Sequence, residues 1–273
     1  SSHQVLVLTE EKKNLDQFPY PYVFSISDLP PWQCFWENVF SQLGRFKYFK
    51  EIIEKYNVKL IHAHFGWEGP YMLPLKKHFN LPLITSFYGM DVYLHPRNPF
   101  IRWQLRQLFA KGDLFLTYSE KMRKHVISLG CAENKIRTHH GGVDFKKFKF
   151  HPRKIEKDSK IRMLLVGRFV EKKGIDIGIK ALALSLKKHK ELHLNILGDG
   201  TLRKKLQKLV ESLGLNEQIT LLGSKSYPEY IAELERSHFL IAPSVAARDG
   251  DEEGGINASV IEAMATGLPC IAT

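Results

Sequence analysis

Residues 161–174 have the sequence IRMLLVGRFVEKKG, and the fold is decided here. The apolar run over residues 161–166 predicts a strand that is buried on both faces, as in a parallel sheet. Gly167 ends this strand, a loop carrying Arg168 and Lys173 follows, and Gly174 opens a helical pattern. The stretch therefore predicts a strand, a basic loop and a helix in that order.

The same alternation extends along the chain in both directions. Further strands are predicted at residues 5–9, 58–65, 83–88, 114–118, 136–139, 192–197, 219–222, 239–242 and 270–272. Helices are predicted at residues 36–56, 103–110, 120–129, 174–188, 201–213, 227–237 and 255–266. Repeated strand–helix units predict an α/β fold of doubly wound parallel sheets, in which the working loops follow the carboxyl ends of the strands.

One charged segment interrupts this pattern. Residues 145–160 contain a proline and many charges but neither helical nor strand periodicity, which is typical of a linker. We therefore expect two Rossmann-like domains, at residues 1–152 and 160–273, that face each other across a cleft.

The composition excludes several classes of protein. The chain has 273 residues, of which 44% are hydrophobic and 25% charged, unlike a disordered or collagenous chain. No apolar run approaches the ~20 residues that a membrane span needs. Cys34, Cys131 and Cys270 lie far apart, so we expect neither a disulfide framework nor a zinc site, and a cytoplasmic location.

The net charge of +11 suggests an anionic partner, although surface lysines that only aid solubility would explain it equally well. The segment at residues 30–50 is aromatic and basic, and it could lie on the anionic inner face of a membrane. Packing of its aromatic side chains against the sheet is the alternative. No nucleic-acid-binding motif occurs, so a nucleic-acid partner is not expected.

Two glycine-containing loops follow strands and favour a phosphate ligand. In the loop after residue 166, the cations of Arg168 and Lys173 and the start of the next helix would attract a diphosphate. Gly198-Asp199-Gly200 permits a tight turn beside a ligand, although such a turn often has no further role.

A third motif spans residues 242–269. An acidic, glycine-rich loop leads into a helix of small and apolar residues, whose one charge is Glu262. A buried carboxylate needs a hydrogen-bonding partner, and sugar hydroxyls would serve. Asp249-Gly250-Asp251 matches a metal-binding Asp-x-Asp pattern, but the loop leads to an anion-binding helix, so we expect no metal.

In this order, the motifs resemble those of family 4 (group 1) retaining glycosyltransferases, which have the two-domain GT-B fold. The matching pieces include 167–174, 198–200, 243–244 and 253–269, together with 61–66, 86–91, 118–120 and 140–144 in the first half. The resemblance implies transfer of a sugar from a nucleotide diphosphate, uridine rather than guanosine, with retention and without a metal or other cofactor. The implied acceptor is a polysaccharide or lipid-linked saccharide.

The resemblance also implies roles for individual residues. The diphosphate is expected at Arg168 and Lys173, and the ribose at Glu262. The residues expected to contact the donor are Gly167, Arg168, Lys173, Gly200, Gly254, Gly255, Ile256 and Glu262, and those expected on the acceptor side are Tyr88 and Gly142. The expected catalytic residues are Glu253, His64 and Asp91.

The sequence departs from the family pattern at two positions within the motifs. The family has two glutamates separated by seven residues. Here Gly254 occupies the position of the first glutamate, and Glu253 lies one residue earlier. In the first domain, Tyr88 occupies the position where the family has a histidine. Segments that the family has before residue 5 and after residue 273 are not in the sequence, so we expect a fragment. A catalytically impaired sugar-nucleotide-binding protein and a GT-B epimerase are the alternatives.

Two histidines lie at one predicted strand end. We expect His62 and His64 to face opposite sides of the sheet, with His64 pointing into the cleft.

Overall fold

The computed structural model describes residues 3–16, 18–33, 47–156 and 159–273. The chain divides into two compact units. Unit 1 comprises the described residues of Ser1–Phe87, His95–Thr117 and Arg123–Arg137. Unit 2 comprises those of Tyr88–Leu94, Tyr118–Met122 and Thr138–Thr273. Two short segments of the first half of the chain therefore belong to the unit that the second half forms.

Unit 1 contains a four-stranded sheet with the strand order β3-β4-β5-β6 and a separate parallel pair, β1 and β2. The strands are β1 (Val7–Thr9), β2 (Val23–Ser25), β3 (Ile61–His64), β4 (Leu83–Phe87), β5 (Leu114–Thr117) and β6 (Ile136–Thr138). The helices are α1 (Lys47–Lys55), α2 (Glu68–Phe79), α3 (Met90–Tyr93, in unit 2), α4 (Pro99–Lys111) and α5 (Glu120–Ser128, whose first three residues belong to unit 2). Phe87 and Phe115 stack in the core, where both are fully buried.

Unit 2 is built on a five-stranded parallel sheet with the order β11-β10-β7-β8-β9. The strands are β7 (Ile161–Val166), β8 (Leu192–Leu197), β9 (Ile219–Gly223), β10 (Phe239–Ala242) and β11 (Cys270–Ala272). The helices are α6 (Ile175–Ser185), α7 (Arg203–Ser212), α8 (Tyr227–Arg236) and α9 (Ala258–Ala265). One apolar cluster, with Phe169 and Ile196, and another, with Leu240 and Leu268, fill its interior.

The strand order of unit 2 reverses between β7 and β10. The chain moves from β7 to β8 and β9 on one side, and then returns to place β10 and β11 on the other. Ligands of open parallel sheets bind outside the carboxyl ends of the strands at such a reversal. The loops that follow β7 and β10 therefore occupy the position where a ligand is expected.

The predicted α/β class with parallel sheets is confirmed, while several element boundaries differ from the predictions. The strand expected at 58–65 begins at Ile61, and the helix expected from 255 begins at Ala258. Strand β2 and helix α2 were not predicted. Residues 36–46 of the helix expected at 36–56 lie outside the described residues, and Lys47–Lys55 is helical. Within the described residues, no helix has the length and apolar character needed to cross a bilayer.

Candidate active site

The loops after β7, β8 and β10 are held close together by glycines. Gly198 has φ +139°, and a β-carbon there would lie 2.0 Å from the carbonyl oxygen of Gly167. Gly174, with φ +58°, precedes α6, and a β-carbon there would lie 1.8 Å from the carbonyl oxygen of Pro243. Only glycine fits such contacts. A β-carbon at Gly200 would likewise lie 2.8 Å from the carbonyl oxygen of Phe169.

The two cations predicted to bind a diphosphate differ in their surroundings. The exposed side chain of Arg168 has neither a hydrogen bond nor an ion pair with the residues that the structure describes. Lys173 is mostly buried, and its Nζ donates to Asn257 Oδ1 at 2.6 Å and lies 2.9 Å from Glu253 Oε1. Its stem packs against Gly167. The structure thus brings Lys173, Glu253 and Gly167 together at the carboxyl end of β7.

The carboxylate of Glu253 has one oxygen without a hydrogen-bond donor. Its Oε1 is buried, and among the described residues none donates to it with hydrogen-bond geometry, although Lys173 Nζ is within ion-pair distance. The ion pair with Lys173 offsets part of the cost of burying this carboxylate, but the oxygen has room for a better aligned donor. Glu253 is therefore suited to accept a hydrogen bond from a bound ligand.

Three lysines hold the acidic loop, which we define as residues 249–253. Lys172 Nζ lies 3.1 and 3.0 Å from the two carboxylate oxygens of Asp251, Lys121 pairs with Glu252, and Lys173 with Glu253. Lys172 is 6% exposed, so this first pair is almost completely buried. The sequence predictions missed Lys172, because no local pattern connects it with an aspartate 79 residues away.

The Asp-x-Asp pattern lies within this acidic loop. Asp251 is bound by Lys172, and its backbone N–H donates to Asp249 Oδ1 at 2.9 Å. In the described part of the chain, no cluster of three or more His, Cys, Asp or Glu side chains has an arrangement suited to a metal ion.

The glycines that follow the acidic loop pack against two segments of the first half of the chain. A β-carbon at Gly254 would lie 2.2 Å from Met122 Cε and 2.6 Å from the carbonyl oxygen of Tyr88. The backbone of Tyr118 approaches Gly255 closely, and Ser119 Oγ donates to the carbonyl oxygen of Gly254 at 2.7 Å. Residues 88–94 and 118–122 thus support the loop that carries Glu253.

The backbone at residues 254–256 precedes helix α9 and is not part of its first turn. Asn257 is the N-cap residue, and Ile256 is 66% exposed. The prediction that the helix begins at residue 255 is therefore wrong. Because Asn257 and the adjacent glycines bend the chain, the amides at Gly254–Ile256 belong to a loop.

The half-buried carboxylate of Glu262 has a partner that the sequence did not indicate. Tyr230 Oη donates to Glu262 Oε2 at 2.7 Å. Burial raises the pKa of Glu262 above its usual value, and the hydrogen bond from Tyr230 opposes this shift. Burial and the adjacent carboxylate also raise the pKa of the Tyr230 hydroxyl, which keeps it protonated as a donor. Within the described residues, the other oxygen of Glu262 accepts no hydrogen bond.

The carboxylate of Asp91 supports a turn. Asp91 is 2% exposed and accepts hydrogen bonds from the backbone N–H groups of Tyr88, at 3.1 Å, and Gly89, at 2.8 Å. The ring of Tyr88 packs at 5.1 Å from that of Tyr118. Asp91 therefore shapes the segment that contacts Gly254, and its catalytic role stays a prediction.

The two remaining predicted site residues lie in different units. His64 lies in unit 1 at the end of β3, where its exposed ring stacks on that of His62 at 4.4 Å. The prediction that the two histidines face opposite sides is wrong, because residues two apart in a strand share one face. Gly142 lies in unit 2, and no described atom is within 4 Å of where its β-carbon would be.

Two family models match the chain along its length. The model of Glycosyltransferase Family 4 matches residues 1–147, and that of Glycosyl transferases group 1 matches residues 146–273. The chain belongs to glycosyltransferase family 4. The family suggested by the sequence motifs is therefore confirmed.

Curated relatives of this family 4 chain include two proteins of bacterial polysaccharide synthesis. It is 32% identical over 213 residues to the putative colanic acid biosynthesis glycosyltransferase WcaL of Salmonella typhimurium, covering 77% of this chain and 52% of the relative. It is 29% identical over 213 residues to the amylovoran biosynthesis glycosyltransferase AmsK of Erwinia amylovora, with the same coverages of 77% and 52%. The chain thus spans about half the length of these relatives.

A solved structure with the same fold is that of HepE from Anabaena in complex with UDP and glucose. The TM-score is 0.73 at 18% identity, and the match covers 98% of this chain and 72% of HepE. This likeness, together with the family match, confirms the GT-B fold class.

Proposed function

We propose that this family 4 chain is part of a retaining glycosyltransferase that uses a uridine diphosphate sugar. The observation that carries the proposal is the meeting of Lys173 with the donor-free oxygen of Glu253 where the strand order reverses. The ammonium group of Lys173 is suited to a diphosphate, and the carboxylate of Glu253 is suited to a sugar hydroxyl. Lys173 Nζ and Glu253 Oε1 lie 2.9 Å apart.

Binding of the diphosphate begins at the exposed cation. Arg168 attracts the phosphates, which then take the place of Glu253 beside Lys173. The two cations stabilise the negative charge that develops on the leaving diphosphate. The donor-free oxygen of Glu253 accepts a hydrogen bond from the sugar, and the oxygen of Glu262 that Tyr230 does not occupy accepts one from the ribose.

Transfer takes place on one face of the sugar. The acceptor oxygen forms a bond to the anomeric carbon while the bond from that carbon to the diphosphate breaks. A phosphate oxygen of the departing diphosphate takes the acceptor proton, so that configuration is retained and no protein nucleophile is needed. His64 and Asp91 act on the acceptor side, with Tyr88 and Gly142, and no metal takes part.

The acceptor is a growing polysaccharide or a lipid-linked saccharide. Support comes from relatives that carry polysaccharide biosynthesis in their names. The reaction takes place in the cytoplasm, at the inner face of the membrane. For the segment at residues 30–50, contact with an anionic membrane and packing against the sheet were the two possibilities, and residues 34–46 of it lie outside the described part of the chain.

Calorimetric titration tests the donor site. The wild-type chain, Arg168→Ala, Lys173→Ala and the control Lys187→Ala are each titrated with UDP and with GDP, with and without chelator. We expect UDP to bind the wild type and the control with chelator present, and each site variant to lose about 10- to 100-fold in affinity, as for a charge-assisted hydrogen bond of 1.5–3 kcal/mol. Absence of UDP binding to a folded wild-type chain would contradict the proposal.

A second candidate function is sugar-nucleotide binding without transfer. It is favoured by Tyr88, which stands where the family has histidine and whose ring is packed against Tyr118. Release of UDP from UDP-sugars separates the two functions. Tight UDP binding with no turnover on any acceptor, in the wild type and in Tyr88→His, would support the second candidate.

A further inference from the structure

Unit 1 contains a groove to which the donor site gives no role. It lies between helices α2 and α4 and has a volume of about 870 Å³, within the size range of ligand sites. We call it the α2–α4 groove. Along α4 its wall extends from Trp103 to Lys111, which is about 12 Å at the helical rise of 1.5 Å per residue.

The walls of the groove present flat apolar surfaces. Pro70 and Pro74 lie on the side of α2 that lines the groove, next to Tyr71, and Trp103 lines it from α4. Trp103 is 55% exposed, although a large apolar side chain gains from burial. Aromatic rings of this kind stack on the apolar C–H face of a sugar ring.

Three side-chain amides contribute polar groups to the groove. The amides of Asn80, Gln104 and Gln107 line the groove, and within the described residues none of these side chains forms a hydrogen bond. An amide offers both donors and an acceptor, which is what a hydroxyl group requires. The aromatic rings of the lining can therefore stack on the faces of sugar rings, and the amides can form hydrogen bonds with the hydroxyl groups at their edges.

The charge of the groove is positive. Lys76 is neutralised by an ion pair with Asp113 at 2.6 Å, while Lys77 and Lys111 have no ion pair within the described part of the chain. No carboxylate is among the described residues that line the groove. The lining therefore favours a ligand that carries negative charge.

We propose that the α2–α4 groove binds an acidic saccharide chain, with rings on Trp103 and Tyr71 and carboxylates at Lys77 and Lys111. The choice of a saccharide over other acidic ligands rests on the proposed function. The concave shape and the three amides also favour it over a lipid surface, which would contact protruding apolar groups and need no amides.

The test uses the full chain and a hexamer of α-1,4-linked galacturonate, with maltohexaose as the neutral probe. Affinity is measured by calorimetry for the wild type, Trp103→Ala, Gln104→Ala/Gln107→Ala and Lys77→Gln/Lys111→Gln. The control is Lys204→Gln/Lys208→Gln, which removes two exposed charges from α7. Circular dichroism and thermal unfolding establish that each variant is folded.

We expect the galacturonate hexamer to bind more tightly than maltohexaose. Each groove variant should lose at least tenfold in affinity for it, and the control less than twofold. Equal losses in the control, or no binding to the folded wild type, would overturn the proposal. So would Trp103-dependent binding to phosphatidylglycerol vesicles without binding of the hexamer, since that outcome assigns the groove to lipid.

Titration of the same variants with UDP separates this proposal from the proposed function. We expect the groove variants to bind UDP as the wild type does. If the wild type binds the hexamer but not UDP, the proposed donor site is refuted, while the proposal that the groove binds an acidic saccharide is supported.

Discussion

Lysines lie beside the acidic loop and in the α2–α4 groove, but their surroundings differ. Lys172 and Lys173, which contact the acidic loop, each have a carboxylate partner within about 3 Å. In the groove, Lys77 and Lys111 have none among the described residues. In the proposed donor site, the diphosphate has to replace the carboxylate of Glu253 beside Lys173. Lys77 and Lys111 would contribute to binding affinity only for a ligand that carries negative charge.

The largest effect is expected where a paired charge is most deeply buried. Lys172→Met removes the ammonium group and leaves Asp251 buried without its partner. Breaking such a pair costs about 3–5 kcal/mol of the free energy of unfolding. Chemical denaturation of the wild type and the variant measures this loss.

The double variant Lys172→Met/Asp251→Leu is the control for this prediction. Since neither charge remains, it should recover most of the lost stability. A single variant that unfolds at the same denaturant concentration as the wild type would show that the pair does not hold the acidic loop.

A smaller effect is expected at the glycine that follows the acidic loop. Gly254→Ala introduces a methyl group 2.2 Å from Met122 Cε and 2.6 Å from a backbone oxygen. Relieving this overpacking should cost about 1–3 kcal/mol and displace Glu253. Gly142→Ala, where the space is open, is the matched control and should change thermal stability by much less. Equal effects at the two glycines would contradict the close packing.

A pH-dependent effect is expected at Glu262. Because burial raises the pKa of this carboxyl in the folded state, the folded state favours the protonated form. The contribution of Glu262 to the free energy of unfolding is fully present below the pKa that this carboxyl has in the unfolded chain. It is lost as pH rises through the pKa that the carboxyl has in the folded protein. Relative to Glu262→Gln, the wild type should therefore become less stable as pH rises above the ordinary glutamate pKa of about 4.3.

Tyr230→Phe sharpens this test. Losing the hydrogen bond to Glu262 should cost about 1 kcal/mol and move the loss of stability to higher pH, since that bond opposes the pKa shift. Thermal unfolding at several pH values measures both changes. Stability that rises with pH relative to Glu262→Gln would reverse the predicted sign.

The smallest effect is expected at the exposed pair of the acidic loop. Lys121 is 71% exposed at its side chain, and it pairs with Glu252, the neighbour of Asp251. Lys121→Ala should change the free energy of unfolding by less than about 1 kcal/mol, because water screens such pairs. A loss as large as that of Lys172→Met would mean that burial does not distinguish the two lysines.

Patterns of neighbouring residues predicted much of the fold. In unit 2, the apolar runs at 161–166, 192–197 and 239–242 coincide with β7, β8 and β10, because strands buried on both faces need continuous apolar sequence. Helix α2 was missed because Pro70 and Pro74 usually oppose a helix, yet here they are tolerated. Strand β2 has only three residues, which are too few to show the alternation of apolar and polar residues that indicates a strand.

The candidate site was predictable only where its residues lie close together in sequence. The glycines and cations of the loop after β7 form one local motif, whereas the partners of these groups come from distant elements. Tyr230 bonds to a carboxylate 32 residues away, and Lys172 to one 79 residues away. Which side chains meet across such separations is decided by the packing of the sheet and helices.

The central claim is that a diphosphate takes the place of Glu253 beside Lys173, and calorimetry of two variants tests it most directly. Glu253→Gln removes the competing carboxylate and should bind UDP at least as tightly as the wild type. Lys173→Met removes the cation and should bind UDP at least tenfold more weakly, as expected for a lost charge-assisted bond of about 1.5 kcal/mol or more. If Glu253→Gln weakens UDP binding as much as Lys173→Met does, the exchange does not occur and the account of the donor site is wrong.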